Sequence, residues 1–145
     1  TPATNLLYGL HEALDMLLEE GLAQVFARHA RHGEATRRAV KAWDLEILAA
    51  NACEFSDVVT TVVVPQPHDA DRIRQAILER FDMSLGMGLG KVKGRVFRIG
   101  HLGHFNDLTL AGTLCGVEMG LSICGVPINR GGENAALAYL SAAGD

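Results

Sequence analysis

Residues 95–103 read RVFRIGHLG, an apolar run broken by one internal cation and closed by a glycine-rich bend. Side chains alternate faces along a β-strand, so Val96 and Arg98 point one way while Arg95, Phe97 and Ile99 point the other. The stretch therefore predicts a strand with a mostly apolar face and a face that carries a guanidinium. That group keeps its proton and presents a rigid fork of donors, so away from bulk water it seeks a carboxylate or phosphate held bidentately. An internal acid such as Glu118 or Glu54 answers that need as well as a ligand does, and the residues alone leave both open.

The segments around this strand set the architecture. Residues 58–64 (VVTTVVV), closed by Pro65 and Pro67, predict a second strand, residues 45–48 a third, and residues 83–85 a short edge strand. Thr1-Pro2 reads as a helix cap and first helical position. Leu6, Leu7, Leu10, Leu14, Leu17 and Leu18 then recur at helical steps, predicting a helix with one buried stripe that Gly21 ends or kinks. A second helix follows to about Ala42, burying Leu22, Val25, Phe26, Ala30 and Val40. Asp69 caps a helix to Phe81 with Ile73, Ile77, Leu78 and Phe81 inward, and Asn106 caps one that buries Leu110, Leu114, Val117 and Leu121. A shorter helix over residues 134–142 is expected to close the fold. This order predicts an α+β, two-layer domain: a small, mostly antiparallel sheet with helices packed on one face. It lacks the alternating βαβ units of a doubly wound dinucleotide fold.

A chain of 145 residues with 48% hydrophobic and 21% charged residues fits one globular domain spanning 1–145. A net charge of -4 argues against a nucleic-acid partner. The basic cluster Arg28, Arg31, Arg37, Arg38 and Lys41 reads as a solvated helix face. Cys53, Cys115 and Cys124 are odd in number and lack C-x-x-C spacing, which points to a reducing, cytoplasmic setting with the cysteines as small core residues. No apolar run approaches a membrane span. The chain opens at Thr1, without a methionine and already in a helix-start signal, as a piece of something longer would.

The motifs offer little chemistry. Residues 86–91 (GMGLGK) fail the Walker spacing and lead into a strand instead of a dinucleotide-binding helix, so they read as a mobile hairpin loop or as glycines beside something bulky. The six histidines form no metal-ligand set and read as surface residues. No nucleophile elbow surrounds a serine, and Lys41, Lys91 and Lys93 lie in polar or glycine-rich settings unlike a desolvated Schiff-base lysine. No catalytic residue and no metal ligand is assigned.

The opening TPATNLLYGL together with LGKVKGRVFRIGHLG and FNDLTLAGTLCGVEMGL resembles the C-terminal portion of the class V, fold-type I pyridoxal-phosphate aminotransferases, and within them the serine–glyoxylate and alanine–glyoxylate branch. The resemblance implies the small C-terminal domain of a longer, homodimeric enzyme that moves an amino group from serine or alanine to glyoxylate or a similar 2-oxo acid. It implies that Arg98 binds the substrate carboxylate, and that Thr1 reaches the phosphate of pyridoxal 5'-phosphate in the neighbouring subunit. It also implies that the cofactor lysine lies upstream, so no covalently bound cofactor is expected on this chain and the chain alone is inactive. Two positions depart from the pattern: Asp44 stands where a turn glycine is expected, and His104 where relatives often carry an acidic or small residue. The competing reading is a stand-alone small-carboxylate-binding or dimerisation module. In the chain as given, Arg98 is expected to be exposed on an open face without a tight internal salt bridge.

Overall fold

The alternation in residues 95–103 becomes strand β4 (Val96–Gly100), whose Phe97 and Ile99 are completely buried in the main hydrophobic cluster. Val96 and Arg98 lie on the opposite side of the strand. The structure is a computed structural model and describes residues 2–142. β4 pairs antiparallel with β2 (Val59–Val63) on one side and β3 (Gly86–Met87) on the other, and β2 pairs antiparallel with β1 (Glu46–Ile47). The sheet order is β1-β2-β4-β3.

Helices α1 (Thr4–Glu20), α2 (Leu22–Ala42), α3 (Ala70–Phe81), α4 (Asp107–Ile123) and α5 (Gly132–Ala142) complete the fold. The core lies between the sheet and helices α2 to α5, where Val40, Trp43, Val62, Ile73, Ile77, Leu110, Leu114, Val117 and Leu121 are all nearly or fully buried. The expected two-layer α+β arrangement is the one found, with an entirely antiparallel sheet.

Local chemistry explains the boundaries. The Asp69 side chain accepts from the Asp71 N–H and that of Asn106 from the Thr109 N–H, so each satisfies an otherwise orphaned donor at the start of α3 or α4. α2 ends in a Schellman turn: Asp44 N–H donates to Lys41 O and Leu45 N–H to Val40 O, with Asp44 at φ 62. That left-handed conformation is the reason a glycine is expected there. α3 and α4 approach so closely that a Cβ on Gly120 would overlap Ile77.

Several expectations are corrected. The leucine stripe of α1 is not buried: Leu6, Leu7, Leu10, Leu14 and Leu18 are exposed, and no residue of α1 is buried. Leu22, Phe26 and Ala30 of α2 are likewise exposed, as is Leu78 of α3. Periodicity detects an apolar face but cannot say what covers it. The edge strand lies at Gly86–Met87 instead of 83–85, and the glycine-rich segment is no plain hairpin loop but this strand followed by a 3₁₀ turn at Gly90–Val92. A second 3₁₀ turn, Ala52–Glu54, lies between β1 and β2. Cys53 is exposed, while Cys124 is half-buried against the core. Thr1, expected as the helix cap, lies outside the described residues; α1 begins at Thr4 with Ala3 at its N-cap position, so Pro2 is not the first helical residue expected.

Candidate carboxylate site around Arg98

Register decides what surrounds Arg98. Its Cα partners are Thr61 on β2 and Gly86 on β3. The arginine side chain passes over Gly86: a Cβ built there would lie 3.0 Å from Arg98 Cβ, 3.1 Å from Nε and 3.5 Å from Cζ. The glycine thus removes the methyl that would otherwise fill the arginine's track, which accounts for one of the glycines left unexplained by motif reading. Beyond it opens a cavity of about 300 Å³ lined by Arg98, Ser84, Gly86, Gly100, Phe105 and Thr113, among others, and none of its lining residues is acidic.

Arg98 is half-buried, not exposed as expected, and its Nε is fully buried with no hydrogen-bond partner. Among the described residues it forms no salt bridge. The internal acids proposed for it are engaged elsewhere. Glu118 accepts from Trp43 Nε1 at 2.6 Å and from the N–H groups of Gly131 and Gly132 at the start of α5, while Glu54 accepts from the backbone N–H and side-chain amide of Asn51. A desolvated, unpaired guanidinium donor beside an acid-free cavity has the chemistry to accept an external anion.

The loop from β4 into α4 walls this cavity with Phe105, and α2 holds that loop in place. Arg28 Nη1 donates to Gly103 O at 2.9 Å and Phe105 O at 3.1 Å, while its Nε and Nη2 grip Glu20 at 2.7 Å each. His29 donates from Nδ1 to Val25 O at 2.7 Å, which leaves Nε2 to accept from Gly103 N–H at 3.2 Å. Arg31 takes Asp107 in a fork at 2.9 and 2.7 Å, and His32 Nε2 donates to the same carboxylate at 2.8 Å. Burial works to raise the Asp107 pKa, but the hydrogen bonds from Arg31 and His32 outweigh it and hold the carboxyl below its usual range.

Because the Asp57 carbonyl can only accept, His101 donates to it from Nδ1, and Nε2 accepts from the Thr60 hydroxyl. Burial pushes the His101 pKa down to about 4, so the ring is neutral near pH 7. His29, His32 and His101 are therefore structural and buried, not the surface residues their sequence setting suggests. The basic run on α2 is only partly a solvated face, since Arg28 turns towards the loop, Arg31 towards the start of α4 and the Leu140 carbonyl, and Arg37 is buried. His104 is exposed beside this network. Among the described residues no three of His, Cys, Asp or Glu gather closely enough to hold a metal ion, and no helix is long and apolar enough to cross a membrane.

The serine–glyoxylate aminotransferase of Arabidopsis thaliana is 50% identical over 97% of this chain and 35% of its own length. The chain is homologous to part of the glyoxylate aminotransferases. Among solved structures, pyridoxamine–pyruvate aminotransferase from Mesorhizobium loti superposes with a TM-score of 0.91 at 33% identity, covering 98% of this chain and 37% of that one. Ureidoglycine–glyoxylate aminotransferase from Bacillus subtilis gives 0.90 at 31% identity, covering 97% and 37%. This aminotransferase-like chain thus spans about a third of the length of these relatives. No family model matches it.

Proposed function

We propose that this chain is the C-terminal small domain, residues 1–145, of a pyridoxal-phosphate-dependent transaminase that moves an amino group from serine or alanine to glyoxylate or a similar 2-oxo acid. Arg98 holds the substrate carboxylate. The observation that carries this reading is the half-buried guanidinium laid over Gly86, its Nε unpaired, at a cavity without an acid. The two aligned structures and the plant relative are named for different amino donors, whereas each named acceptor is a small 2-oxo acid. The acceptor carboxylate is the feature a single arginine would serve throughout.

The rest of the active site belongs to the longer protein. Lys41, Lys91 and Lys93 are all exposed, and none lines the Arg98 cavity; on this reading the amine that anchors the cofactor aldehyde comes from the longer protein. On this reading the domain binds and orients the substrate, walls it with Phe105 and contributes no proton-transfer group. Thr1 would reach the cofactor phosphate of a partner subunit. The uncovered leucine face of α1 supports a larger, homodimeric body. Three free cysteines fit a reducing cytoplasm.

The test is Arg98→Lys in the full-length enzyme. Lysine keeps the charge and loses the fork, removing about 2 kcal/mol of charge-assisted hydrogen bonding, or roughly thirtyfold in KM for the oxo acid. Unchanged kinetics would refute the assignment. A stand-alone carboxylate-binding module, the alternative, would instead bind glyoxylate as the isolated chain and lose that binding in the same variant.

A further inference from the structure

The loop between β4 and α4 is held by side chains more than 70 residues away in sequence, and nothing in the carboxylate reading requires them. Every residue at which α2 grips this loop lies close to Phe105, a wall of the Arg98 cavity. Arg28 takes the carbonyls on both sides of His104, at Gly103 and Phe105, and His29 takes the Gly103 N–H. The His32 ring meets Phe105 edge-on with centroids 5.9 Å apart. The loop also borders a second cavity of about 670 Å³, lined in part by Met16, Leu17 and Glu20 of α1. The loop thus borders both cavities, and Arg28 makes two of the hydrogen bonds that hold its backbone.

Arg28 is itself fixed from α1. The two-pronged grip of Glu20 spans the break at Gly21, whose φ of 84 separates the two helices. The Arg28 hydrogen bonds, opposed by desolvation, hold the Glu20 carboxyl below its usual range, so the pair is charged at neutral pH. We infer that Arg28, oriented by Glu20 and assisted by His29, is a positioning residue for the Arg98 cavity, setting how far Phe105 stands from the bound carboxylate. This rests on the reading of Arg98 as the carboxylate site. Arg28 touches no substrate; it acts through the backbone of Gly103 and Phe105. Loosening that backbone widens the cavity and weakens the hold on the acid before it affects any bond-breaking step.

The experiment compares Arg28→Ala, Arg28→Lys, Glu20→Gln and Arg98→Lys in the full-length enzyme, with Arg38→Ala as a control on the same helix. Arg38 pairs with Glu34 and lies over the Tyr139 ring at 4.2 Å, away from the loop. A small displacement of a positioning element is expected to raise KM for the oxo acid about fivefold in Arg28→Ala, with kcat within about twofold. Arg28→Lys, which reaches the carbonyls but cannot fork with Glu20, should fall between Arg28→Ala and the parent. Glu20→Gln should raise KM in the same direction, and Arg38→Ala should leave both constants unchanged. A raised KM in Arg98→Lys with unchanged KM in the Arg28 variants overturns this inference and leaves the Arg98 assignment standing. Unchanged KM in Arg98→Lys overturns both. A fall in kcat alone in the Arg28 variants also overturns it. If Arg28→Ala does not fold, Arg28→Lys and Glu20→Gln decide, and a KM within twofold of the parent in both refutes the proposal.

Discussion

Gly86→Ala tests the carboxylate site through a residue that carries no functional group. The added methyl would sit 3.0 Å from Arg98 Cβ and 3.1 Å from Nε. Non-bonded carbon contacts settle near about 3.5 Å or more, so the overlap is roughly half an ångström. Arg98 Cβ is fixed by the β4 backbone, between its ladders to β2 and β3. The flexible end of the arginine must therefore lift towards the cavity, or the β3 edge must move out. Charge-assisted bonds hold within a narrow range near about 2.8 Å, so a shift of that size spoils one prong of the fork and removes about 1 kcal/mol, or roughly fivefold in KM for the oxo acid. The assay is steady-state kinetics of the full-length enzyme with both substrates varied, beside a thermal melt to confirm that the fold survives. A KM within twofold of the parent would refute the reasoning, because it would mean that the guanidinium does not lie over Gly86 when substrate is bound.

Two further predictions concern stability, both read by urea unfolding of this chain with its one tryptophan, the buried Trp43, as the fluorescent probe. His101 has an ordinary pKa of 6.5 and a folded value of about 4. Above pH 6.5 both states are neutral; as pH falls below it the unfolded chain takes up a proton that the folded chain refuses, so stability drops, by about 3 kcal/mol in all by pH 4. His101→Gln should flatten the profile by that amount between pH 6.5 and 4, and an unaltered slope would contradict the neutral, buried ring. Asp44 occupies the left-handed position of the Schellman turn at φ 62, so Asp44→Gly should stabilise the chain by about 0.5 kcal/mol, the relief of strain being partly offset by glycine's greater entropy when unfolded. A lower urea midpoint would show that the aspartate side chain makes a contact worth more than the strain.

Much of this structure was legible from short-range chemistry. Asp69 and Asn106 cap the helices their positions announce, and the alternation around Arg98 divides core from site as period two requires. What was not legible is what lies opposite each face. The α1 leucines mark an apolar stripe, but the pattern is the same whether the stripe is covered by this chain or by another. The histidines of α2 read as polar surface because their partners, Gly103 and Asp107, lie some seventy residues on and have no local signature. The edge strand was misplaced by a few residues because apolar character favours 83–85, whereas pairing is set by the need for a residue without Cβ opposite Arg98. The one signal that could have located it was the glycine at 86.

The joint at Gly21 has a mechanical consequence. α1 has 17 residues, a rod of about 25 Å at 1.5 Å per residue, and its ionic fastening to α2 sits at the very end of that rod, in Glu20. A tilt of about 5° would carry the far end of such a rod about 2 Å while hardly moving the pivot. Whatever surface seats the leucine face can therefore shift at the distant end without disturbing the loop beyond Arg28. Only a change near the pivot would reach the cavity.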